Sequence, residues 1–232
     1  MQSRAGILNS PPVILVSAVL LDLDGTLVDT APDMAAALNQ LLAEENKAPM
    51  AYQEIRPHVS QGAAGLLGLA WAQQSNEDRF EALKQRFLEI YARLNGRESV
   101  FFDGFAEILD WLDTSGIPWG IVTNKPAWLT EPLIRHLCID QRTGCLVCGD
   151  TLAQRKPHAA PLLHAASLLN AEPQDCVYVG DASRDMEAAK SANMAGIAAT
   201  YGYIPGGTDP YAWPATATIN KPGELIGLIG LK

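Results

Sequence analysis

Between residues 13 and 21 the chain is almost continuously apolar, and it then breaks into the polar stretch DLDGT at 22–26. A short apolar run bounded in this way predicts a buried strand over Ala18–Leu21. From 31 to about 97 the period changes to that of a helix. Residues 30–47 predict a helix with Thr30 as N-cap, Asp33 three residues on and Pro32 in the first turn. Residues 63–74 have helical spacing too, as do 77–94, where Phe80, Leu83, Phe87, Ile90 and Leu94 fall on one stripe. Strand signals are scarce throughout this block.

Beyond it the pattern alternates. Helices are predicted over 105–116 (closed by Gly116), 130–137, 160–170, 184–194 and 223–232, and strands over 117–123, 145–150, 176–181 and 196–200. Strand–helix alternation with continuously apolar strands argues for an α/β fold, a doubly wound parallel sheet covered on both faces. The expected organisation is a discontinuous core, 1–30 and 98–232, with a helical cap inserted at 31–97. The Pro/Gly-rich stretch 203–216 gives no clear element, and residues 1–12 read as a loosely held tail.

Composition narrows the function. With 232 residues and 48% hydrophobic content the chain can bury a sizeable core. A net charge of −9 argues against a nucleic-acid or anionic membrane partner. The apolar run before Asp22 is too short to span a bilayer and lacks a small-residue cleavage site. Of the four cysteines, Cys145 and Cys148 have C-x-x-C spacing, but they lie in a strand-like run and no second pair completes a zinc site. Reduced thiols in a cytoplasmic protein, monomeric or homodimeric, are the expectation.

Candidate chemistry gathers at the strand ends, where ligands bind in open parallel sheets. Asp22 and Asp24 follow the first strand, Thr123 and Asn124 the second, and Asp181 and Asp185 the strand over 176–181, while Lys156 precedes a helix. Gly25 allows a sharp exit that returns Asp24 to the side of Asp22. Carboxylates this close require a shared proton or a cation between them. An all-oxygen site of this kind suits Mg²⁺. Lys156, the Thr123 hydroxyl and the Asn124 backbone N–H would let an acidic site hold a phosphate, so the expected ligand is a small anionic phosphorylated metabolite.

In order along the chain, DLDGT, IVTNKP, RKP and GDASRD resemble the haloacid dehalogenase superfamily. The resemblance implies Asp22 as the nucleophile that forms an aspartyl-phosphate and Asp24 as general acid and base. It implies Thr123 and Lys156 as holders of the phosphoryl oxygens. It makes Asp22, the backbone carbonyl of Asp24, and Asp181 the Mg²⁺ ligands, with Asp185 supporting the metal and the lysine. The helical block then corresponds to a mobile cap. Finer details, APDMAAALNQ, VTNKP, KPHAAPLL and TYGY, resemble the phosphoglycolate phosphatase group, while WGIVTNKP, TEPL and YGYIPGGTDPYAW resemble its bacterial relatives, some of which act on N-acetylmuramic acid 6-phosphate. Two positions depart from the common pattern: Ala159 stands for a proline and Leu21 for an aromatic residue.

Plainer readings stand beside these. Thr123, Lys156 or Asp185 alone would be a strand-end hydroxyl, a solvated lysine or a helix-start carboxylate. Gly62 and Gly65 serve either close helix packing or backbone contact with substrate, and Trp128 is expected to pack. The rival functions are a dehalogenase, which needs neither metal nor Asp24, a phosphomutase, another sugar-phosphate phosphatase and a non-catalytic binding module.

Overall fold

The computed structural model describes residues 13–71 and 76–232. The stretch 1–12, expected to form a tail, lies outside the described residues, as do 72–75 near the end of the second predicted helix. The apolar run at the start divides at Ser17 into β1 (Ile14–Val16) and β2 (Ala18–Leu21). After the two-residue β3 (Val28–Asp29) come α1 (Ala31–Glu44), α2 (Tyr52–Ile55), α3 (Gly62–Trp71) and α4 (Glu77–Leu94). The chain returns through β4 (Val100–Phe101) to α5 (Phe105–Thr114), β5 (Trp119–Val122), α6 (Ala127–His136) and β6 (Cys145–Val147). It continues with α7 (Ala160–Leu168), β7 (Cys176–Gly180), α8 (Ser183–Ser191) and β8 (Ala195–Ala199), then β9 (Ala217–Ile219), α9 (Glu224–Leu228) and β10 (Ile229–Leu231).

Six strands form one parallel sheet in the order β6-β5-β2-β7-β8-β9. Counted along the chain this is the doubly wound order 3-2-1-4-5-6, with its switch point where β2 meets β7. All four residues of β2 are fully buried, as a central strand covered on both faces requires. Leu21, its last residue, lies in register with Ile121 of β5 and Val179 of β7. The residues that leave β2, β5 and β7 therefore emerge at one end of the sheet.

Helices α1 to α4 bury a separate apolar cluster that includes Leu38, Leu41, Leu66, Phe87 and Ile90. Of the predicted α4 stripe, Leu83, Phe87 and Ile90 are buried, while Phe80 and Leu94 pack at its margin. The two chain crossings into this block lie side by side, because β3 and β4 pair antiparallel with Val28 opposite Phe101.

Asp33, expected near a capped helix start, does something else. Its buried carboxylate accepts the backbone N–H groups of Gly96 (3.0 Å), Glu98 (3.0 Å) and Ser99 (3.1 Å) and the Ser99 hydroxyl (2.6 Å). It thus clamps the outgoing crossing to the incoming one. Thr30 stands at the N-cap position without capping, since its hydroxyl is turned to Asp24 at 2.7 Å.

Two expectations fail at the end of the chain. The predicted helix over 223–232 is only a five-residue α9, after which β10 pairs in parallel with β1. Gly227 and Gly230 weaken a helix there, and the open edge of β1 offers the backbone a ladder instead. Within and after the unreadable stretch 203–216 the chain makes a 3-10 turn at Pro210–Ala212 and then the edge strand β9, three residues long and too short for a periodicity to show.

Replacing Asp33 with alanine would strand two buried backbone donors, of Gly96 and Ser99, the half-buried one of Glu98, and the Ser99 hydroxyl. We expect a loss of about 3 kcal/mol in urea unfolding, with Asp33→Asn recovering part of it. An unchanged unfolding midpoint would show that the crossing does not depend on this clamp.

Candidate active site

The site begins where β2 ends. The Asp22 N–H still bonds to the Val179 carbonyl (2.9 Å), so its carboxylate leaves the sheet at the switch point, and Oδ1 accepts the Leu23 N–H at 2.8 Å. The chain then turns sharply at Gly25, where φ is +86° and a Cβ would lie 2.0 Å from Asp181 Oδ2. Only glycine fits on both counts.

Lys156 Nζ is 2.9 Å from Asp22 Oδ1 and 2.8 Å from Asp185 Oδ1. It also donates to the Val122 carbonyl (3.1 Å) and the Tyr178 hydroxyl (2.6 Å). The other Asp185 oxygen accepts the Ala182 N–H at 3.0 Å. Asp181, the residue after β7, uses Oδ2 to accept from the Ser60 hydroxyl (2.6 Å) and the Tyr203 N–H (2.8 Å), while its buried Oδ1 has no partner among the described residues.

One oxygen from each of Asp22, Asp181 and Asp185 lies within 4.8 Å of the others. Burial, opposed by Lys156 and reinforced by Asp185, pushes the Asp22 carboxyl up to about 6. Burial, then the charges of Asp22 and Asp185, push Asp181 up to about 7. Three buried carboxylates, two of them paired with one ammonium and the third with an unpartnered oxygen, form a donor set that a hard divalent cation fits.

A cleft of about 430 Å³ opens over this cluster between the sheet end and the helical block. Asp22, Asp24, Thr123, Asn124 and Arg184 line it on one side, and Val59, Gly62, Phe87, Leu88 and Tyr91 on the other. Asp22 Oδ2 carries no hydrogen bond from a described residue, since its partners take Oδ1. Thr123 Oγ1 accepts the Lys125 N–H at 3.1 Å. Arg184, half-buried, donates to the Ser60 carbonyl across the cleft at 2.7 Å. Burial weighs against its charge, but Asp185, Asp22 and Asp181 raise its pKa above the ordinary arginine value.

The residues singled out in the sequence thus converge, with differences. Asn124 was expected to act through its backbone. Its side chain also clamps the Lys156 backbone through two hydrogen bonds, donating to the carbonyl (2.9 Å) and accepting the N–H (3.1 Å). Gly62 lines the cleft and Gly65 does not: a Cβ on Gly65 would lie 2.2 Å from the Gln61 Cβ, so its smallness serves packing. Trp128, expected to pack, is half exposed because it lies on the outer side of the first turn of α6.

Sequence reasoning missed Lys125, whose Nζ is 3.0 Å from Asp24 Oδ1 and 2.5 Å from the Tyr91 hydroxyl. Its place in IVTNKP beside Thr123 and Asn124 was the available signal, as GDASRD was for Arg184 and TYGY for Tyr203, whereas Ser60 and Tyr178 carried none.

A carboxyl with a raised folded-state pKa binds its proton more tightly in the native state, so stability falls as pH rises through the interval. For Asp181 that interval runs from 3.8 to about 7. In a chelator, Asp181→Asn should therefore gain stability relative to the parent protein as the pH rises from about 4 to about 7. Melting temperatures across that range check this; parallel profiles would mean that Asp181 ionises without cost.

The comparisons agree with this architecture. The model of the haloacid dehalogenase-like hydrolase family matches residues 19–199. A phosphoglycolate phosphatase of Xanthomonas campestris pv. campestris is 44% identical over 208 residues, covering 90% of this chain and 94% of that protein. An N-acetylmuramic acid 6-phosphate phosphatase of Pseudomonas putida is 38% identical over 212 residues, covering 91% and 95%. A crystal structure described as a predicted phosphoglycolate phosphatase from Haemophilus somnus superposes with a TM-score of 0.82 at 26% identity, covering 91% and 96%. With its doubly wound sheet and buried carboxylates at the switch point, the chain belongs to the haloacid dehalogenase-like hydrolases.

Proposed function

We propose that this protein is a Mg²⁺-dependent phosphomonoesterase that hydrolyses a small phosphorylated metabolite, of the 2-phosphoglycolate type, through an aspartyl-phosphate on Asp22. The observation that carries the reading is the Asp22 carboxylate at the end of β2. Oδ1 is held by Lys156, Oδ2 is without a partner among the described residues, and Asp24 lines the same cleft. The relatives named above as phosphatases support it, and the phosphoglycolate phosphatase is the more similar of the two.

In the first step an Asp22 oxygen attacks phosphorus and the bond to the leaving oxygen breaks, while Asp24 gives that oxygen a proton. In the second, water attacks the aspartyl-phosphate and gives its proton to Asp24, which frees phosphate and restores Asp22. Lys156, Thr123 and the Asn124 N–H hold the phosphoryl oxygens. Asp22, Asp181 and the Asp24 backbone carbonyl would hold the metal, with Asp185 steadying both it and Lys156. When bound, the ion supplies positive charge against the phosphoryl oxygens.

Residues 31–97 act in this reading as a cap that closes over the strand ends and excludes water, with Gly62 meeting the substrate. A cytoplasmic location is part of it: the four cysteines are free thiols, three of them buried, and no helix among the described residues is long and apolar enough to cross a membrane. The reading needs no partner beyond the substrate, whether the chain is a monomer or a homodimer.

Asp22→Asn should lower turnover of 2-phosphoglycolate by roughly 10⁴-fold or more in a folded protein. Near-parental kcat in that variant would end the nucleophile assignment. Activity should vanish in EDTA and return with Mg²⁺; full activity in the stripped enzyme would favour the dehalogenase chemistry instead. Comparing kcat/KM for 2-phosphoglycolate and N-acetylmuramic acid 6-phosphate tests the substrate class, and a preference for the sugar phosphate would overturn it.

A further inference from the structure

The two chemical steps give Lys125 nothing to do, yet it is the second buried ammonium of the site, with a side chain 5% exposed. Its backbone is fixed from both sides: its N–H donates to Thr123 Oγ1 at 3.1 Å, and its carbonyl accepts the Gly149 N–H at 2.9 Å. From there the side chain reaches Asp24 Oδ1 at 3.0 Å, where the Thr30 hydroxyl also donates at 2.7 Å. Both hydrogen bonds to the Asp24 carboxylate among the described residues therefore fall on Oδ1. Two donors on one oxygen hold the carboxylate against rotation and leave Oδ2 for the cleft that Asp24 lines.

The second partner of the ammonium comes from the helical block. Lys125 Nζ is 2.5 Å from the Tyr91 hydroxyl and 4.5 Å from the centre of its ring. Tyr91, on α4, is 1% exposed and stacks on Phe87 with ring centres 6.2 Å apart. A lysine side chain is long and flexible, so its placement depends on what fixes its head. Here that is one group from the sheet end and one from the helical block.

We infer that Lys125 is the positioning residue of Asp24, and that Tyr91 makes this positioning depend on the seating of the helical block. The inference rests on the reading of Asp24 as acid and base. Lys125 is not assigned contact with the reacting atoms; it acts by holding Asp24 Oδ1, so that Oδ2 faces the leaving oxygen only while α4 is in place.

The test uses two phosphate donors with the Mg²⁺-loaded enzyme. 2-Phosphoglycolate leaves as an alkoxide that needs a proton, whereas p-nitrophenyl phosphate leaves without one. Misplacing a catalytic group by about 1 Å costs on the order of 10²-fold. Lys125→Met should therefore slow single-turnover loss of the alkyl donor by about 10²-fold, with KM little changed. First-step loss of the aryl donor should fall less than about 5-fold.

Tyr91→Phe should move the same ratio in the same direction, by about 5-fold, as expected for one hydrogen bond. Lys125→Arg should restore part of it. In an Asp24→Asn background Lys125→Met should add nothing for the alkyl donor, because the group it acts through is gone.

Equal slowing of both donors by Lys125→Met, or an undiminished effect in the Asp24→Asn background, would overturn the inference. Should Lys125→Met not fold, Tyr91→Phe carries the same comparison, and an unchanged donor ratio there overturns it as well. The two layers separate on Asp24→Asn itself. If that variant slows both donors equally, the acid–base reading fails and takes the inference with it. If it discriminates and the Lys125 and Tyr91 variants do not, the inference alone fails.

Discussion

The Lys156 ammonium, its side chain 1% exposed, stands between Asp22 and Asp185 at 2.9 and 2.8 Å. It is what allows the end of the sheet to carry buried carboxylates at all. Removing one partner of a buried ion pair typically costs about 3–5 kcal/mol, because the other charge is left uncompensated. Lys156 here has two such partners, and two neutral acceptors share its remaining N–H. Its own placement depends in turn on the Asn124 side chain, which grips the loop backbone from the end of β5. The strand ends and the loop before α7 are thereby tied into one electrostatic unit.

That unit is still short of positive charge, and the shortage is located. Asp181 Oδ1 is the buried oxygen of the cluster with no partner among the described residues, and its carboxyl is pushed up to about 7, by burial first and then by its acidic neighbours. Gly25 and Gly202 leave the space that Asp181 occupies, since a Cβ on either would collide with its side chain. The sequence has given up side chains on two flanking turns to keep a carboxylate where it is costly. Such a trade is expected at a functional site, where local stability yields to chemistry.

The helical block meets the sheet end largely through the site itself. Ser60 donates to Asp181, Arg184 donates back to the Ser60 carbonyl, and Tyr91 meets Lys125. Arg56 adds a hydrogen bond to the Gly202 carbonyl at 3.2 Å and stacks over Tyr203. On the chain side, Asp33 and the short β3–β4 ladder hold the two crossings together. The block is thus tied at the crossings and touches the core where the chemistry is proposed to occur, so its position and the state of the cluster cannot vary independently.

Much of this was legible in the sequence. Apolar runs and helical stripes are local signals, so β2, β5, β7 and β8 and helices α1, α4, α5 and α8 could be read within a few residues. Asp22, Asp24, Thr123, Asp181 and Asp185 were legible as site candidates because each follows a strand, and in a parallel sheet all such positions fall at one end. β9 and β10 were not legible, being three residues long and specified by the edges they pair with. Nor were the pairings of Lys125 with Tyr91 and Ser60 with Asp181, which join residues 34 and 121 positions apart. The smallness of Gly65 and the exposure of Trp128 belong to the same class. Periodicity records which way a side chain faces on its own element, a property of a few consecutive backbone dihedrals. Which side chain it meets depends on how whole elements pack, and no short stretch of sequence encodes that distance.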